Sequence, residues 1–313
     1  MTFINAPVEF TARVIESFGR RAIIETADGE RMPAELFGKR LTMVCGDEVQ
    51  VRVPRPAAVA SGDSPRIVSV APRRSLFQRT DSRGRTEPLA ANLTLLAVVI
   101  APEPEPDPYM VDRYLAGASF SDIKGAVIVN KCDKECSLAF NELVAEYRQA
   151  GYPVLNVSAK QQQGMNEFHA LVSQQTTMLA GQSGVGKSTL TNALVPQSLR
   201  LTRALSDSTG EGRHTTVSTA LFKISGGGEL VDPPGVRDYA PALVSDAMVQ
   251  QGWPELTALN GECKFNNCLH LREPGCAVMA AVDAGTIAVR RYESYKRLLN
   301  IMRGLAPDYE RRR

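Results

Sequence analysis

The sequence predicts an α/β protein in three parts: a small N-terminal β-barrel, a central α/β domain and a C-terminal metal-binding helical domain. Short alternating segments separated by glycine fill residues 1–71, and continuous apolar runs alternate with helix-like segments in 91–240. Three cysteines crowd into 263–276, within the last part, 241–313. Residues 72–90 are rich in arginine and turn residues, and we expect them to form a basic linker.

The barrel prediction depends on four strand-like segments in the first part. They lie at 8–14, 21–25, 31–36 and 48–53, with glycine or Asp-Gly between them. Several short strands at even spacing are typical of a small antiparallel barrel. Because small five-stranded barrels often bind oligonucleotides on one face, nucleic-acid binding is a hypothesis for this part.

Buried strands and intervening helices define the central domain. The apolar runs are 93–100, 125–130, 154–157 and 176–180, and helix-like segments lie near 108–118, 136–150 and 164–174. Unbroken apolar runs are typical of parallel strands buried on both faces, so three layers are expected. Gly226, Gly227 and Gly228 lie between two further strands and predict a hairpin turn.

Composition excludes several classes of protein. Hydrophobic residues make up 43% and charged residues 22% of the 313 residues, which indicates a globular chain rather than a disordered one. The longest apolar run, 93–101, is far shorter than the roughly 20 residues that cross a bilayer. The N-terminal residues lack the pattern of a secretory signal, so we expect a cytoplasmic protein with no membrane partner.

Two basic segments stand out on a chain whose net charge is only +2. Residues 66–85 contain six arginines and one aspartate, and residues 290–313 contain seven arginines and one lysine against three acids. Clustered arginine and lysine attract phosphate, which favours an RNA partner. Solvated surface with a frayed tail is the alternative interpretation.

A glycine-rich motif lies between the strand that ends at Ala180 and a helix that runs through Leu194. It matches the pattern G-x-x-x-x-G-K-S and consists of Gly181, Gln182, Ser183, Gly184, Val185, Gly186, Lys187, Ser188 and Thr189. In this strand–loop–helix context backbone N–H groups surround phosphates, and the helix N-terminus adds partial positive charge. We expect Lys187 to reach the β- and γ-phosphates and Ser188 to ligate Mg²⁺.

Two motifs at strand ends predict which base is bound. Asn130, Lys131, Cys132 and Asp133 follow one buried strand, and Ser158, Ala159 and Lys160 follow the next. An Asp at the carboxyl end of a strand can accept hydrogen bonds from guanine, whereas adenine would leave it facing a lone pair. Asn130 would brace the site, Lys131 would cover the ring, and the second motif would offer a backbone N–H to guanine O6. A plain strand-end loop is the alternative for the first motif alone.

Residues after the phosphate loop predict a magnesium site and two switch loops. Asp232 follows a strand and should hold Mg²⁺ through water, and the Gly235 N–H should sense the γ-phosphate. Residues 210–216 suit a switch segment in which Thr216 closes over the metal. Ser188, Thr216 and Asp232 are therefore the expected magnesium group, and a plain glycine-rich loop is the alternative for 210–216.

The order of these motifs is unusual. The base-reading motifs come first, the phosphate loop second and the switches last, whereas an ordinary GTPase runs the other way round. Permutation is tolerated because compact domains often have neighbouring termini. Residues 91–240 are therefore predicted to form a circularly permuted P-loop GTPase domain that binds GTP and GDP with Mg²⁺. Its second switch leads directly into the C-terminal part.

A cysteine and histidine cluster predicts a metal site in that part. Cys263, Cys268, His270 and Cys276 form the pattern C-x4-C-x-H-x5-C. Three thiolates and one imidazole supply four soft ligands, so we expect one structural Zn²⁺ ion with no position open for catalysis. Clustered cysteines in a cytosolic chain favour metal over disulfides. Three buried cysteines and a helix-capping histidine are the alternative.

Taken together, the motifs resemble those of the ribosome small-subunit-dependent GTPase family, the permuted GTPases called RsgA or YjeQ. The resemblance covers about residues 72–300 and rests on N-K-C-D at Asn130, S-A-K at Ser158, G-Q-S-G-V-G-K-S-T at Gly181, G-R-H-T-T at Gly212, D-P-P-G at Asp232 and the cysteine–histidine cluster. It extends into E-P-G-C-A-V at Glu273 and R-Y-E-S-Y at Arg291. The N-terminal part matches in length and strand pattern only, and Pro233 replaces a more usual threonine.

The resemblance implies an OB-type barrel and GTP hydrolysis stimulated by the small ribosomal subunit during its late maturation, with ribosomal RNA as a partner. It also implies that His214 positions water, because Val236 lies where many GTPases have glutamine. A surface histidine is the alternative for His214; Lys187 and Thr216 complete the expected catalytic group. We expect a monomer. Alternative functions are a nucleotide-gated RNA-binding module with incidental hydrolysis, a P-loop ATPase and a zinc-dependent nucleic-acid factor.

Overall fold

The N-terminal part forms a closed five-stranded barrel. The computed structural model describes residues 8–53, 64–81, 83–196, 219–232 and 239–305. The barrel strands are β1 (Val8–Phe18), β2 (Arg21–Thr26), β3 (Arg31–Leu36), β4 (Glu48–Val53) and β5 (Arg66–Val70). Strand β1 pairs with both β2 and β4, and β3 runs parallel to β5, which closes the barrel. Alternate side chains such as Val14, Ile24 and Ile67 are fully buried inside it.

A β-hairpin occupies most of the segment that was expected to be a basic linker. Strands β6 (Leu76–Thr80) and β7 (Thr86–Ala91) pair in antiparallel fashion, and Asp81 accepts hydrogen bonds from the backbone N–H groups of Arg83 and Arg85 at the turn. Phe77 points inward and is fully buried, while Arg79 points out and pairs with Glu87 at 3.0 Å. Arg79 lies in β6, whereas Arg73 and Arg74 precede that strand and Arg83 and Arg85 lie at the turn, so the arginines of this basic segment are compatible with a paired hairpin.

The central part is a three-layer α/β domain, as predicted. Its elements are β8 (Leu95–Ile100), α1 (Pro108–Ser119), β9 (Lys124–Val129), α2 (Leu138–Gln149), β10 (Val154–Asn156), α3 (Met165–Val172), β11 (Thr176–Ala180), α4 (Lys187–Leu194), β12 (Ala220–Lys223) and β13 (Glu229–Asp232). The strand order is β10-β9-β8-β11-β13-β12, and all neighbours are parallel except β12 and β13, which form the expected hairpin. Every residue of β8 is buried, because helices cover both faces of the sheet.

The barrel and the central sheet are joined into one sheet of eleven strands. Glu16 of β1 pairs with Ala220 of β12, so the barrel continues the sheet beyond its hairpin. Two ion pairs reinforce this joint: Arg13 lies 2.9 Å from Glu229, and Lys223 lies 2.5 Å from Glu25. The barrel is therefore attached to the hairpin that ends at Asp232.

The C-terminal part is helical. It contains α5 (Asp246–Val249), a 3-10 turn (Gln250–Gly252), α6 (Pro254–Thr257), α7 (Ala277–Asp283) and α8 (Val289–Leu305). The buried Trp253 and Tyr295 rings pack edge to face with centroids 5.5 Å apart. Among the described residues, no helix is long and apolar enough to span a membrane.

Buried contacts fix this helical part to the central domain. The Arg291 guanidinium of α8 is buried and lies 2.6 Å from Asp112 of α1 and 2.7 Å from Glu255. Tyr239 is stacked between Phe77 of the β6–β7 hairpin and Tyr114 of α1, at centroid distances of 5.2 and 4.4 Å. Tyr239, the first described residue of the C-terminal segment, thus packs against both the β6–β7 hairpin and the central domain.

Candidate nucleotide site and metal centre

The phosphate loop joins the end of β11 to the start of α4. Gly181, Gly184 and Gly186 all have positive φ angles, of 130°, 83° and 97°. A Cβ atom at Gly186 would lie 2.2 Å from Asn130 Nδ2, so only glycine fits there. Gly186 caps α4 without a side-chain hydrogen bond, which leaves the first N–H groups of the helix available to an anion.

Lys187 lies across this loop. Its Nζ donates to the Gly181 carbonyl at 2.6 Å and to the Gln182 carbonyl at 2.7 Å. Burial lowers the pKa of Lys187, and the negative charge of Asp232 at the end of β13 opposes that shift. Lys187 and Asp232 therefore lie near one another at the carboxyl edge of two adjacent strands, β11 and β13.

Asn130 connects the three predicted nucleotide motifs. Its buried side chain donates from Nδ2 to the Val185 carbonyl of the phosphate loop at 2.9 Å. Its Oδ1 accepts from the Ala159 N–H of the S-A-K motif at 3.4 Å. The side chain that was expected to brace the base-binding motif thus holds that motif, the second base motif and the phosphate loop together.

Lys131 and Asp133 complete the base-binding side of the site. Lys131 Nζ donates to the Gly184 carbonyl and to the Glu103 carbonyl, each at 2.7 Å, so its stem lies over the phosphate loop. Asp133 is exposed, and a hydrogen bond from Ser158 holds the pKa of its carboxyl below the usual range. Cys132 contributes its backbone, with its N–H donating to the Val157 carbonyl at 3.1 Å.

The remaining predicted residues of the site divide into two groups. Ser183, Ser188, Thr189 and Lys160 are exposed around the same edge of the sheet. His214, Thr216 and Gly235 lie outside the described residues, as do the rest of 210–216 and Pro233.

The loop between β8 and α1 also contacts the phosphate loop, although no sequence motif predicted it. Gln182 of the phosphate loop donates from Nε2 to the Glu105 carbonyl at 2.7 Å, and its Oε1 accepts from the Asp107 N–H at 3.2 Å. Lys134 pairs with Glu103 at 2.7 Å. The alternation of proline and acidic residues in 102–108 was the available signal, since it marks a rigid loop at a strand end.

The cysteine and histidine cluster has the geometry of a tetrahedral metal site. One ligand atom from each of Cys263, Cys268, His270 and Cys276 lies within 4.8 Å of all the others. His270 Nδ1 is 3.6 Å from Cys263 Sγ and 3.4 Å from Cys276 Sγ. The Sγ atoms of Cys263 and Cys276 are 4.0 Å apart, close to the about 3.8 Å that separates two sulfur ligands of a tetrahedral Zn²⁺ ion, so the residues fit such an ion. They could hold a metal ion.

Outer contacts orient the histidine. Burial lowers the pKa of His270, which favours the neutral imidazole that metals bind. Its Nε2 donates to Gln250 Oε1 at 2.5 Å, which leaves Nδ1 facing the sulfurs. Tyr292 donates from its hydroxyl to the His270 carbonyl at 2.6 Å. Gln250, which no sequence pattern marked, is thus part of the metal centre.

Comparison with known proteins decides the family. The model of the RsgA GTPase family matches residues 70–241. The chain belongs to the RsgA GTPase family. It is accordingly a GTPase.

Two relatives illustrate how far the family likeness extends. A protein of Pseudomonas fluorescens named small ribosomal subunit biogenesis GTPase RsgA is 39% identical over 299 residues, which is 93% of this chain and 85% of the relative. A protein of the same name from Azotobacter vinelandii is 40% identical over 91% of this chain and 84% of the relative. The likeness therefore includes the barrel and the C-terminal part as well as the GTPase domain.

Solved structures show the same fold. YjeQ from Thermotoga maritima superposes with a TM-score of 0.70 at 24% identity, covering 94% of this chain and 99% of that one. YloQ, described as a circularly permuted GTPase, gives 0.71 at 22% identity and covers 97% and 98%. The predicted fold class, a permuted GTPase domain between a small barrel and a C-terminal part with a Cys3His cluster, is confirmed.

Proposed function

We propose that this chain hydrolyses GTP to GDP and phosphate faster on the small ribosomal subunit, and that it acts late in the maturation of that subunit. The single observation that best supports a guanine-nucleotide site is the position of Asn130, which contacts Val185 of the phosphate loop and Ala159 of the S-A-K motif. The ribosomal role follows from relatives whose names state biogenesis of the small subunit.

Different residues at the sheet edge bind the phosphates, the base and the metal of the nucleotide. Gly181–Thr189 bind the phosphates, with Lys187 releasing its two carbonyl partners to meet the β- and γ-phosphates. Asp133 accepts from the guanine edge, Lys131 covers the ring, and Ser158–Lys160 offer a backbone N–H to O6. Ser188, Thr216 and Asp232 would hold Mg²⁺, which would neutralise charge on the phosphates.

The hydrolytic step depends on positioning a water molecule against the γ-phosphate. His214 performs this task in our proposal, because Val236 replaces the glutamine that orients water in many GTPases. Thr216 and Gly235 close over the metal and the γ-phosphate and release on hydrolysis.

Cys263, Cys268, His270 and Cys276 would hold one structural Zn²⁺ ion. Four protein ligands leave no open position, so the ion would supply folding energy rather than chemistry. The barrel and this zinc part contact ribosomal RNA, and the protein acts in the cytoplasm.

Turnover measured with and without purified small subunits tests the proposal. We expect a faster rate with the subunits, loss of nucleotide binding in Lys187→Ala, and normal binding with slower subunit-stimulated hydrolysis in His214→Ala. Unchanged stimulated turnover in His214→Ala would remove that residue from the mechanism. If release from the subunit were equally fast with GTP and with a non-hydrolysable analogue, hydrolysis would be incidental and the chain a nucleotide-gated RNA-binding module.

A further inference from the structure

Two exposed phenylalanines lie on neighbouring loops of the barrel. Phe18 is 45% exposed at the end of β1, and Phe37 is 57% exposed just after β3. Rings this exposed forgo much of the burial that usually stabilises a phenylalanine side chain. Two of them at one end of a small barrel therefore point to a binding surface.

The two loops share the same local sequence. Phe18-Gly19-Arg20-Arg21 and Phe37-Gly38-Lys39-Arg40 each place a glycine and two basic residues after the ring, and all eight residues are exposed. Gly19 and Gly38 both have positive φ angles, of 68° and 82°. Each loop thus carries an aromatic ring, a glycine in a left-handed conformation and two cations in the same order.

Hydrogen bonds join the loops into one surface. The Arg20 guanidinium donates to the Leu36 carbonyl at 2.8 Å and to the Gly38 carbonyl at 2.7 Å. The Leu36 N–H donates back to the Arg20 carbonyl at 2.9 Å. Both rings are therefore presented from a preorganised backbone, which lowers the entropic cost of binding.

The charge of this surface selects the partner. Arg20, Arg21, Lys39 and Arg40 follow the rings in the two loops and are exposed, and Glu35 pairs with Arg21 at 3.0 Å. Aromatic rings flanked by cations suit unpaired nucleotides, because bases stack on the rings while phosphates meet the charges. An acidic protein would use the charges but has no need of two exposed rings.

We propose that Phe18 and Phe37, with Arg20, Arg21, Lys39 and Arg40, form a platform on which the bases of unpaired RNA stack. We call this surface the phenylalanine platform. The inference rests on the proposed function, since it assigns a particular part of the barrel to RNA contact. It requires single-stranded rather than duplex RNA, because paired bases do not expose their faces.

Binding of a labelled 12-nucleotide single-stranded RNA of mixed sequence to the full chain tests the platform. We expect Phe18→Ala with Phe37→Ala to weaken binding about tenfold or more, and the pair Phe18→Tyr with Phe37→Tyr to restore it, because tyrosine retains the ring. Leu138→Ala is the matched control, since Leu138 is 75% exposed on the central domain and should leave binding unchanged.

An abasic strand of the same length separates stacking from charge. The alanine pair should bind the abasic strand as the unaltered chain does, whereas Lys39→Ala with Arg40→Ala should weaken both strands and reduce the salt dependence. Equal losses on the abasic strand, or unchanged binding of intact RNA by a folded alanine pair, would overturn the platform.

Failure of the platform is distinguishable from failure of the proposed function. Subunit-stimulated GTP turnover of the unaltered chain reports on the function alone. If that stimulation is present but the alanine pair binds RNA normally and loses affinity for a ribosomal protein instead, the surface is a protein-docking site and the platform is wrong.

Discussion

Arg13 of the barrel and Glu229 of the central sheet form an ion pair of 2.9 Å in which both side chains are only about one-fifth exposed, at 23% and 20%. Thr176 of the phosphate-loop strand joins them, since its hydroxyl donates to Glu229 at 2.9 Å and accepts from Arg13 at 3.3 Å. Glu229 begins the strand that ends at Asp232. The barrel is thus linked electrostatically to the strand that leads into the proposed second switch.

Replacing these two charges should reveal their coupling. Partly buried, hydrogen-bonded pairs interact more strongly than exposed ones, so a double-mutant cycle with Arg13→Gln and Glu229→Gln should give about 1 kcal/mol of coupling in unfolding free energy. The pair Arg52 and Glu9, 2.8 Å apart but 48% and 39% exposed, is the control and should give about 0.3 kcal/mol. Equal coupling energies in both cycles would show that partial burial does not strengthen the Arg13–Glu229 pair.

Low pH should weaken the junction between the barrel and the central sheet, because it protonates Glu25, which pairs with Lys223. Burial raises the pKa of this carboxyl, but Lys223 and Arg31 outweigh it and hold the pKa below the usual 4.5. A carboxyl whose pKa is lower in the folded than in the unfolded chain stabilises the fold at any pH above its unfolded-state pKa. That stabilisation is lost as the pH falls through its folded-state pKa. Glu25→Gln should cost about 1–3 kcal/mol at pH 7 and lose less stability than the unaltered chain between pH 5 and pH 3.

Urea unfolding at several pH values measures this effect. Glu35→Gln is the control, because Glu35 is 38% exposed and pairs with an arginine that is 78% exposed. A Glu25→Gln chain whose stability falls with acid as steeply as the unaltered chain's would contradict the assignment.

Asp133 should determine the choice of base. An amide in place of the carboxylate donates where guanine also donates, so Asp133→Asn should weaken GTP binding roughly 100-fold or more and favour xanthosine triphosphate, whose carbonyl accepts. Competition of the two nucleotides for the chain is the measurement. Glu135→Gln, at an exposed position in the same loop, should change nothing. Retained preference for GTP in Asp133→Asn would place the base elsewhere.

Gln250 should tune metal binding without touching the metal. Loss of its hydrogen bond frees the His270 ring to turn, so Gln250→Ala should reduce zinc affinity about 10- to 100-fold. Competition with a chromophoric chelator measures that affinity directly. The neighbouring Gln251 is exposed, and Gln251→Ala should bind zinc normally. Equal affinities for the two variants would show that the ring is held by packing alone.

Much of the fold follows from local patterns. The first four barrel strands and the strands of the central sheet were predicted within a few residues, because alternation and apolar runs report which faces are buried. The convergence of Asn130, Ala159 and Val185 was also predictable, since each follows a parallel strand and such strands end at one edge.

Other features of the fold and of the site are not predicted by the local sequence. Strand β5 and the β6–β7 hairpin were missed because they are short strands with few buried apolar side chains, such as Ile67 and Phe77, among arginines and turn residues. The pairing of Glu16 with Ala220 joins residues more than 200 positions apart, and no pattern in either strand specifies it. Gln250 is a single polar residue 20 positions before the histidine it contacts.

Strand β12 shows what the fusion of barrel and sheet protects. A four-residue strand at the end of an open sheet leaves a row of backbone amides and carbonyls ready to recruit a second chain, and here β1 takes that place through Glu16. Cleavage of the chain between residues 71 and 72 with loss of the barrel would therefore expose β12 as an unpaired edge strand of the GTPase domain. The remaining fragment should then self-associate.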